Sequence, residues 1–173
     1  NLQKAHRLFS GSSNPNIATW NALIAAFSHN GHGVEALEYF YKMQSEGINP
    51  DEITFVSILT ACSHAGWIED GRQYFISMKS YFDMIYTQDH YVCMIDLLGR
   101  AGRLEEAQHM INELSVEKAD VAWLCLLGAC RIHDDYERGS YVAEKLFNLS
   151  PTSATPYVML ANMSAAAKKW DSV

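Results

Sequence analysis

Features typical of membrane, metal-binding or disulfide-linked proteins are missing from this sequence of 173 residues. No uninterrupted apolar run approaches about 18 residues, which excludes a membrane-spanning helix. The four cysteines (Cys62, Cys93, Cys125 and Cys130) form no C-x-x-C pair. We therefore expect reduced thiols buried on apolar faces, and no metal or other cofactor. Charged residues make up only 19% of the chain and hydrophobic residues 49%, which predicts a folded core.

Basic residues are also scarce. Lysine and arginine number 13 against 20 aspartates and glutamates, giving a formal charge of −7. The imbalance is concentrated in residues 52–119, which carry five basic and ten acidic side chains. Tight, sequence-independent binding to nucleic acid requires many lysines and arginines that neutralise phosphates. The composition argues against that mode of binding, but it leaves room for a few base-specific contacts.

An aromatic residue opens the same apolar pattern five times along the chain. These residues are Trp20, Phe55, Tyr91, Trp123 and Tyr157, separated by 35, 36, 32 and 34 positions. Mostly apolar residues follow each aromatic three, four and seven positions later, which is one face of a helix. A period near 34 residues is typical of helical-repeat solenoids. We therefore expect these aromatic residues to lie in the core.

A second helical pattern lies between these aromatic positions. A small residue is followed four and seven positions later by apolar ones, at Ala36, Gly71, Ala107 and Gly139. Small residues allow two helices to approach closely. Short turns containing glycine separate the two patterns, and Pro50-Asp51 precedes the helix that contains Phe55. The sequence thus predicts an all-α, right-handed solenoid of helix–turn–helix units.

Two repeat families have this layout, and the spacing distinguishes them. Tetratricopeptide repeats keep a strict length of about 34 residues, whereas the units here vary. Residues 17–24 (IATWNALI), 30–37 (NGHGVEAL) and 47–51 (GINPD) resemble a pentatricopeptide repeat of the plant PLS subclass. Residues 96–107 (DLLGRAGRLEEA) resemble the last short repeat of that subclass, and residues 126–133 (LLGACRIH) resemble its degenerate E1 repeat.

The resemblance divides the chain into six parts. They are the end of a short unit (1–16), a P-type unit (17–51), an L-type unit (52–87), an S-type unit (88–119), the E1 repeat (120–153) and a truncated E2 repeat (154–173).

In this family one repeat reads one RNA base through two residues, and the resemblance places both on this sequence. The first, just after the aromatic residue, falls on Asn21; the second, the last residue of the unit, falls on Asp51. The family's Asn–Asp pair favours uridine and then cytidine. Ala18 and Ile53 would wedge the flanking bases, and Asn16 would close the preceding unit.

Both main residues also have purely structural interpretations. Asn21 could be a solvated helix residue, and Asp51 could cap the next helix in addition to reading a base. The four later reading positions are aliphatic (Val56, Val92, Leu124 and Val158), and aliphatic side chains cannot hydrogen-bond a base edge. Base recognition should therefore fade after residue 51, and an apolar, acidic surface suits a protein partner.

The resemblance implies a segment of an organellar specificity factor for C-to-U RNA editing. Its expected partners are single-stranded organellar RNA, accessory editing proteins and a cytidine deaminase domain supplied in cis or in trans. The alternative is a solenoid that binds only proteins. No histidine is followed two positions later by glutamate, so the zinc-deaminase signature is absent and no enzyme activity is expected. Residues 1–4 (NLQK) lack the Arg- and Ser-rich composition of a transit peptide. The resemblance implies the mitochondrion or the chloroplast, with a slight preference for the mitochondrion.

Overall fold

The computed structural model describes residues 2–11, 14–114 and 119–167, which form helices joined by turns. The helices are α1 (Leu2–Ser10), α2 (Ile17–His29), α3 (Gly33–Ser45), α4 (Glu52–Ala65), α5 (Ile68–Ser80), α6 (Gln88–Arg100), α7 (Leu104–Asn112), α8 (Asp120–Ile132), α9 (Tyr136–Leu149) and α10 (Thr155–Ala166). Those described residues contain no strand, which confirms the all-α prediction. No helix among them is long and apolar enough to span a membrane.

Residues 1–97 form the first of two compact units. Within it α2 packs against α3 and α4, and α4 packs against α3 and α5. The first-helix apolar stripes meet in the core, where Trp20, Ile24, Phe55 and Ile58 are almost completely buried. Successive helix–turn–helix pairs therefore bury their apolar faces against each other, as expected for a repeat protein.

Two glycines in this unit have the conformation or the packing that the sequence predicts. Helix α4 ends at Gly66, whose φ of 71° is left-handed and therefore favours glycine. Helix α5 approaches α4 and α6 closely at Gly71, since a Cβ there would lie 3.4 Å from Cys62 Cβ and 2.3 Å from Leu97 Cδ2. The small residue predicted at this position is thus a packing requirement.

Residues 98–173 form the second compact unit. Helix α8 packs against α7, α9 and α10, and α10 also packs against α9. Trp123, Leu126, Leu146 and Leu160 lie in its core. The part of the predicted E2 repeat after Ala167 lies outside the described residues.

Four apolar positions are more exposed than predicted, and one of them is Tyr91, which is half-buried. Tyr157 is 46% exposed, and its ring stacks on Phe147 at 3.9 Å between centroids. Cys93 and Cys125 are half-buried, whereas Cys62 and Cys130 are buried as predicted. Cys125 and Cys130 are five residues apart in α8, and that spacing turns the two thiols to different sides of the helix.

Candidate nucleic-acid interface

Asp51 organises the start of α4. Its carboxylate accepts a hydrogen bond from the backbone N–H of Thr54 at 2.9 Å, and its own N–H donates to Thr54 Oγ1 at 3.1 Å. This reciprocal pair is a capping box, which satisfies two backbone donors left unpaired at the helix start. The predicted capping role of Asp51 is confirmed, and it fixes the carboxylate beside the neighbouring helix α2.

Asn21 lies against this cap. Its Nδ2 donates to Asp51 Oδ1 at 2.8 Å, and its Oδ1 lies 2.5 Å from the hydroxyl oxygen of Thr54. The side chain is only 5% exposed, so the interpretation of Asn21 as a solvated helix residue is wrong. The two residues selected from the sequence are thus in direct contact, although 30 positions separate them.

These contacts use only part of the hydrogen-bonding capacity of the pair. A carboxamide has two N–H donors, and a carboxylate has two acceptor oxygens. One Nδ2–H of Asn21 is committed to Asp51, and Asp51 Oδ1 is committed to Asn21 and Thr54. The second amide N–H of Asn21 and the Oδ2 oxygen of Asp51 have no hydrogen-bond partner among the described residues. They can therefore bond a group that offers one acceptor and one donor. The Watson–Crick edge of a nucleobase is such a group.

The predicted flanking residues occupy matching places on neighbouring helices. Ala18 is the second residue of α2 and Ile53 the second residue of α4, and both are exposed. Ile53 retains 62% of its exposure despite its apolar side chain. An exposed apolar side chain at the start of each helix is available for contact with the flat face of a base.

Asn16 has a structural function at the start of α2. Its Oδ1 accepts hydrogen bonds from both the backbone N–H and the hydroxyl of Thr19, each at 3.0 Å. The side chain is exposed and acts as the N-cap of the helix. The predicted RNA contact of Asn16 stays a prediction.

The later reading positions lack a polar pair. Val56, Val92 and Leu124 are half-buried, and Val158 is 57% exposed. Of their partner positions, Ala119 is buried and Thr87 is hydrogen-bonded to His90. Within the described residues, Asn21 and Asp51 are the predicted reading pair whose two side chains hydrogen-bond each other.

Two histidines, His64 and His133, contact backbone carbonyl oxygens, and two cysteines, Cys62 and Cys130, are buried. His64 Nδ1 lies 3.0 Å from the carbonyl oxygen of Ser28, and His133 Nε2 lies 2.9 Å from that of Gly99. Burial raises the pKa of the Cys62 and Cys130 thiols to about 12. Within residues 2–11, 14–114 and 119–167, no three His, Cys, Asp or Glu side chains are grouped so as to hold a metal ion.

Sequence reasoning missed Thr54, which contacts both reading residues. Its signal was the Asp51-x-x-Thr54 spacing, a variant of the capping-box pattern. That pattern predicts the contact with Asp51, but it carries no information about the contact with Asn21 in another helix.

Comparison with known proteins gives matches along the whole chain. Residues 15–64 match the PPR repeat family, and residues 53–81 and 89–118 match the PPR repeat. The pentatricopeptide repeat-containing protein At2g13600 of Arabidopsis thaliana is 45% identical over 99% of this chain. The Arabidopsis protein At2g03880, mitochondrial, is 43% identical over the same share. The chain spans 25% and 27% of the length of these two relatives.

Solved structures match the fold at lower identity. The crystal structure of the pentatricopeptide repeat protein PPR10 from maize has a TM-score of 0.76 and 19% identity, covering 98% of this chain and 25% of that one. PPR10 in complex with an 18-nt psaJ RNA element has a TM-score of 0.79 and 18% identity, covering 96% and 25%. These matches confirm the predicted fold class, a helical-repeat solenoid.

Proposed function

This chain belongs to the pentatricopeptide repeat family, and from that premise we propose that Asn21 and Asp51 together bind one pyrimidine of single-stranded RNA. The observation that carries the proposal is the 2.8 Å hydrogen bond between the two side chains. It holds a free amide donor beside a free carboxylate oxygen, and a base edge can bond both. The exposed Ala18 and Ile53 flank this position and would contact the faces of the bound base.

A single base contact contributes little affinity. A good bidentate contact is worth about 1–3 kcal/mol of discrimination between bases. Useful affinity requires several such units along one RNA strand. We therefore propose that this segment contributes one position to a longer recognition site in the complete natural protein.

The residues from about 52 onward have a different proposed role, the docking of other proteins. Their reading positions are aliphatic, and residues 52–119 carry a net charge of −5, which repels phosphate. The likeness of residues 96–107 and 126–133 to the last repeats of the PLS subclass supports a role in C-to-U editing. There the segment would position a cytidine deaminase at a target cytidine and bind accessory editing proteins.

An organellar location belongs to the same proposal. Three Arabidopsis relatives with 43%, 40% and 42% identity are named as mitochondrial. We propose the mitochondrion as the site of action, with the chloroplast as the alternative that follows from the editing role. Imaging of the complete natural protein, tagged at its C-terminus, would distinguish them.

The competing function is a solenoid that binds only proteins in this segment. The aliphatic side chains at Val56, Val92, Leu124 and Val158 favour it for the residues after 51. It differs from the leading proposal in one respect that can be measured, the contribution of residues 17–51 to base preference.

The deciding experiment measures base preference on a randomised single-stranded RNA library. The complete natural protein is compared with its Asn21→Thr plus Asp51→Asn double variant, and bound RNA is sequenced. We expect the preference at one position to move from uridine towards a purine. Asp135→Asn is the matched control, because Asp135 also caps a helix by accepting from Arg138 N, at 3.0 Å, but it occupies no reading position. If the double variant keeps the same base preference at every position, base reading by Asn21 and Asp51 is refuted, and the solenoid that binds only proteins in this segment is supported.

A further inference from the structure

Thr54 connects the two reading residues from the following unit. It is completely buried, and its Oγ1 lies 2.5 Å from Asn21 Oδ1 and 2.9 Å from Asp51 Oδ1. A threonine hydroxyl has one proton to donate. Asp51 Oδ1 already accepts from Asn21 Nδ2 and from the Thr54 backbone N–H. The shorter contact therefore takes the proton, and Thr54 donates to the carbonyl oxygen of the Asn21 amide.

The two bonds to Asn21 determine which way its amide faces. The torsion that turns an asparagine amide is broad and nearly two-fold, so an isolated amide can present either its nitrogen or its oxygen. Here the nitrogen faces a carboxylate, which can only accept, and the oxygen faces a hydroxyl donor. Turning the amide over would lose both bonds and place two oxygen acceptors against each other at Asp51.

The corresponding residue of the next unit makes a different contact. His90 occupies the Thr54 position, and its Nδ1 accepts from the Thr87 backbone N–H at 3.0 Å. Its Nε2 lies 3.0 Å from the carbonyl oxygen of Glu52 in the preceding unit, 52–87, whose reading position is the aliphatic Val56. The third residue of the first helix thus bonds back to the preceding unit in both cases, and each contacts the last residue of that unit, Asp51 or Thr87. Of the two, Thr54 also bonds a polar side chain just after the aromatic residue, that of Asn21.

We propose that Thr54 is a specificity-determining residue that sets the base preference of the Asn21–Asp51 pair by fixing the orientation of the Asn21 amide. The proposal rests on the proposed RNA-binding function. It makes base choice depend on three residues, one of which belongs to the following unit. Thr54 acts through Asn21 and does not touch the base.

The test again measures base preference on the randomised RNA library with the complete natural protein. The position to follow is the one that the Asn21→Thr plus Asp51→Asn variant shifts. We expect Thr54→Val, which keeps the shape and removes the hydroxyl, to reduce the preference there about fivefold or more. Thr54→Ser restores the hydroxyl and should retain the preference. Thr60→Val is the matched control in the same helix, since the Thr60 hydroxyl bonds Val56 O and not Asn21.

The outcomes separate this inference from the function on which it rests. No shift in the double variant would refute RNA reading itself. A shift in the double variant with full preference in Thr54→Val would refute only the role of Thr54. Equal loss of preference in Thr54→Ser and Thr54→Val would also refute it, because a donor hydroxyl would then be irrelevant.

A second set of variants tests the same inference without depending on the folding of Thr54→Val. Val56→Asn with Thr87→Asp introduces the reading pair into unit 52–87, and His90, the third residue of the following unit 88–119, then stands where Thr54 stands for Asn21 and Asp51. We expect base preference at the neighbouring RNA position to be at least about threefold stronger with His90→Thr added than without it. If the added substitution changes nothing, the third residue does not determine specificity.

Discussion

The hydrogen bond between Asn21 and Asp51 should be measurable as a coupling free energy. The perturbations are Asn21→Ala, Asp51→Ala and the double variant, and the quantity is the free energy of unfolding. Asp51→Ala removes the N-cap of α4, at about 1 kcal/mol, and leaves the Asn21 amide without its acceptor. Asn21→Ala removes the same side-chain bond but leaves the capping box intact.

The burial of the two side chains determines the coupling free energy that we expect. A hydrogen bond to a charged group contributes about 1.5–3 kcal/mol, and less where water reaches it. Asn21 is 5% exposed, whereas Asp51 is half-buried. We therefore expect a coupling of about 1–2 kcal/mol, meaning that the double variant is less destabilised than the two single variants added together. Asp51→Ala loses the N-cap of α4 whether residue 21 is asparagine or alanine, so this loss cancels from the coupling free energy.

Urea denaturation followed by far-ultraviolet circular dichroism measures all four proteins. The control pair is Asn16→Ala with Asn21→Ala, since Asn16 caps α2 through Thr19 and shares no hydrogen bond with Asn21. The changes in unfolding free energy caused by these two substitutions should add. A coupling between Asn21 and Asp51 below about 0.5 kcal/mol would mean that the contact does not organise the site, and the reasoning would fail.

Two further predictions concern packing and the thiols. Gly71→Ala should lower the free energy of unfolding by about 0.5–2 kcal/mol, because the added Cβ would lie 2.3 Å from Leu97 Cδ2 and overpacking outweighs the gain in helix propensity. Gly128→Ala, whose Cβ would meet only a methionine methyl at 3.9 Å, should instead be neutral or stabilising by up to about 1 kcal/mol, and urea denaturation compares the two. Burial raises the pKa of Cys62 and Cys130 from 9.0 to about 12, so the unfolded thiols ionise first and stability should fall as pH rises from 9 towards 12. Thermal melts across that range check this, and a cysteine-to-alanine double variant with the same loss of stability would contradict it.

Much of the fold could be predicted because its signals are local. The 3.6-residue periodicity identifies each helix, and the caps at Asp51 and Gly66 depend on side chains and turns within a few residues. Small residues such as Gly71 appear in the sequence at the helix crossings. The exposure of Tyr157 could not be predicted in this way, because the burial of a repeated aromatic residue depends on what packs over it.

The same distinction between local signals and tertiary packing applies to the candidate site. From the sequence alone, the resemblance to pentatricopeptide repeats predicted that Asn21 and Asp51 are paired reading positions of one unit and that aliphatic residues occupy the later ones. Only the tertiary structure decided that the two side chains touch, that Asn21 is buried, and that Thr54 completes the contact. The physical reason is separation along the chain. Periodicity assigns each residue to a face of its own helix, but hydrogen bonds across 30 or 33 positions depend on how α2 and α4 pack.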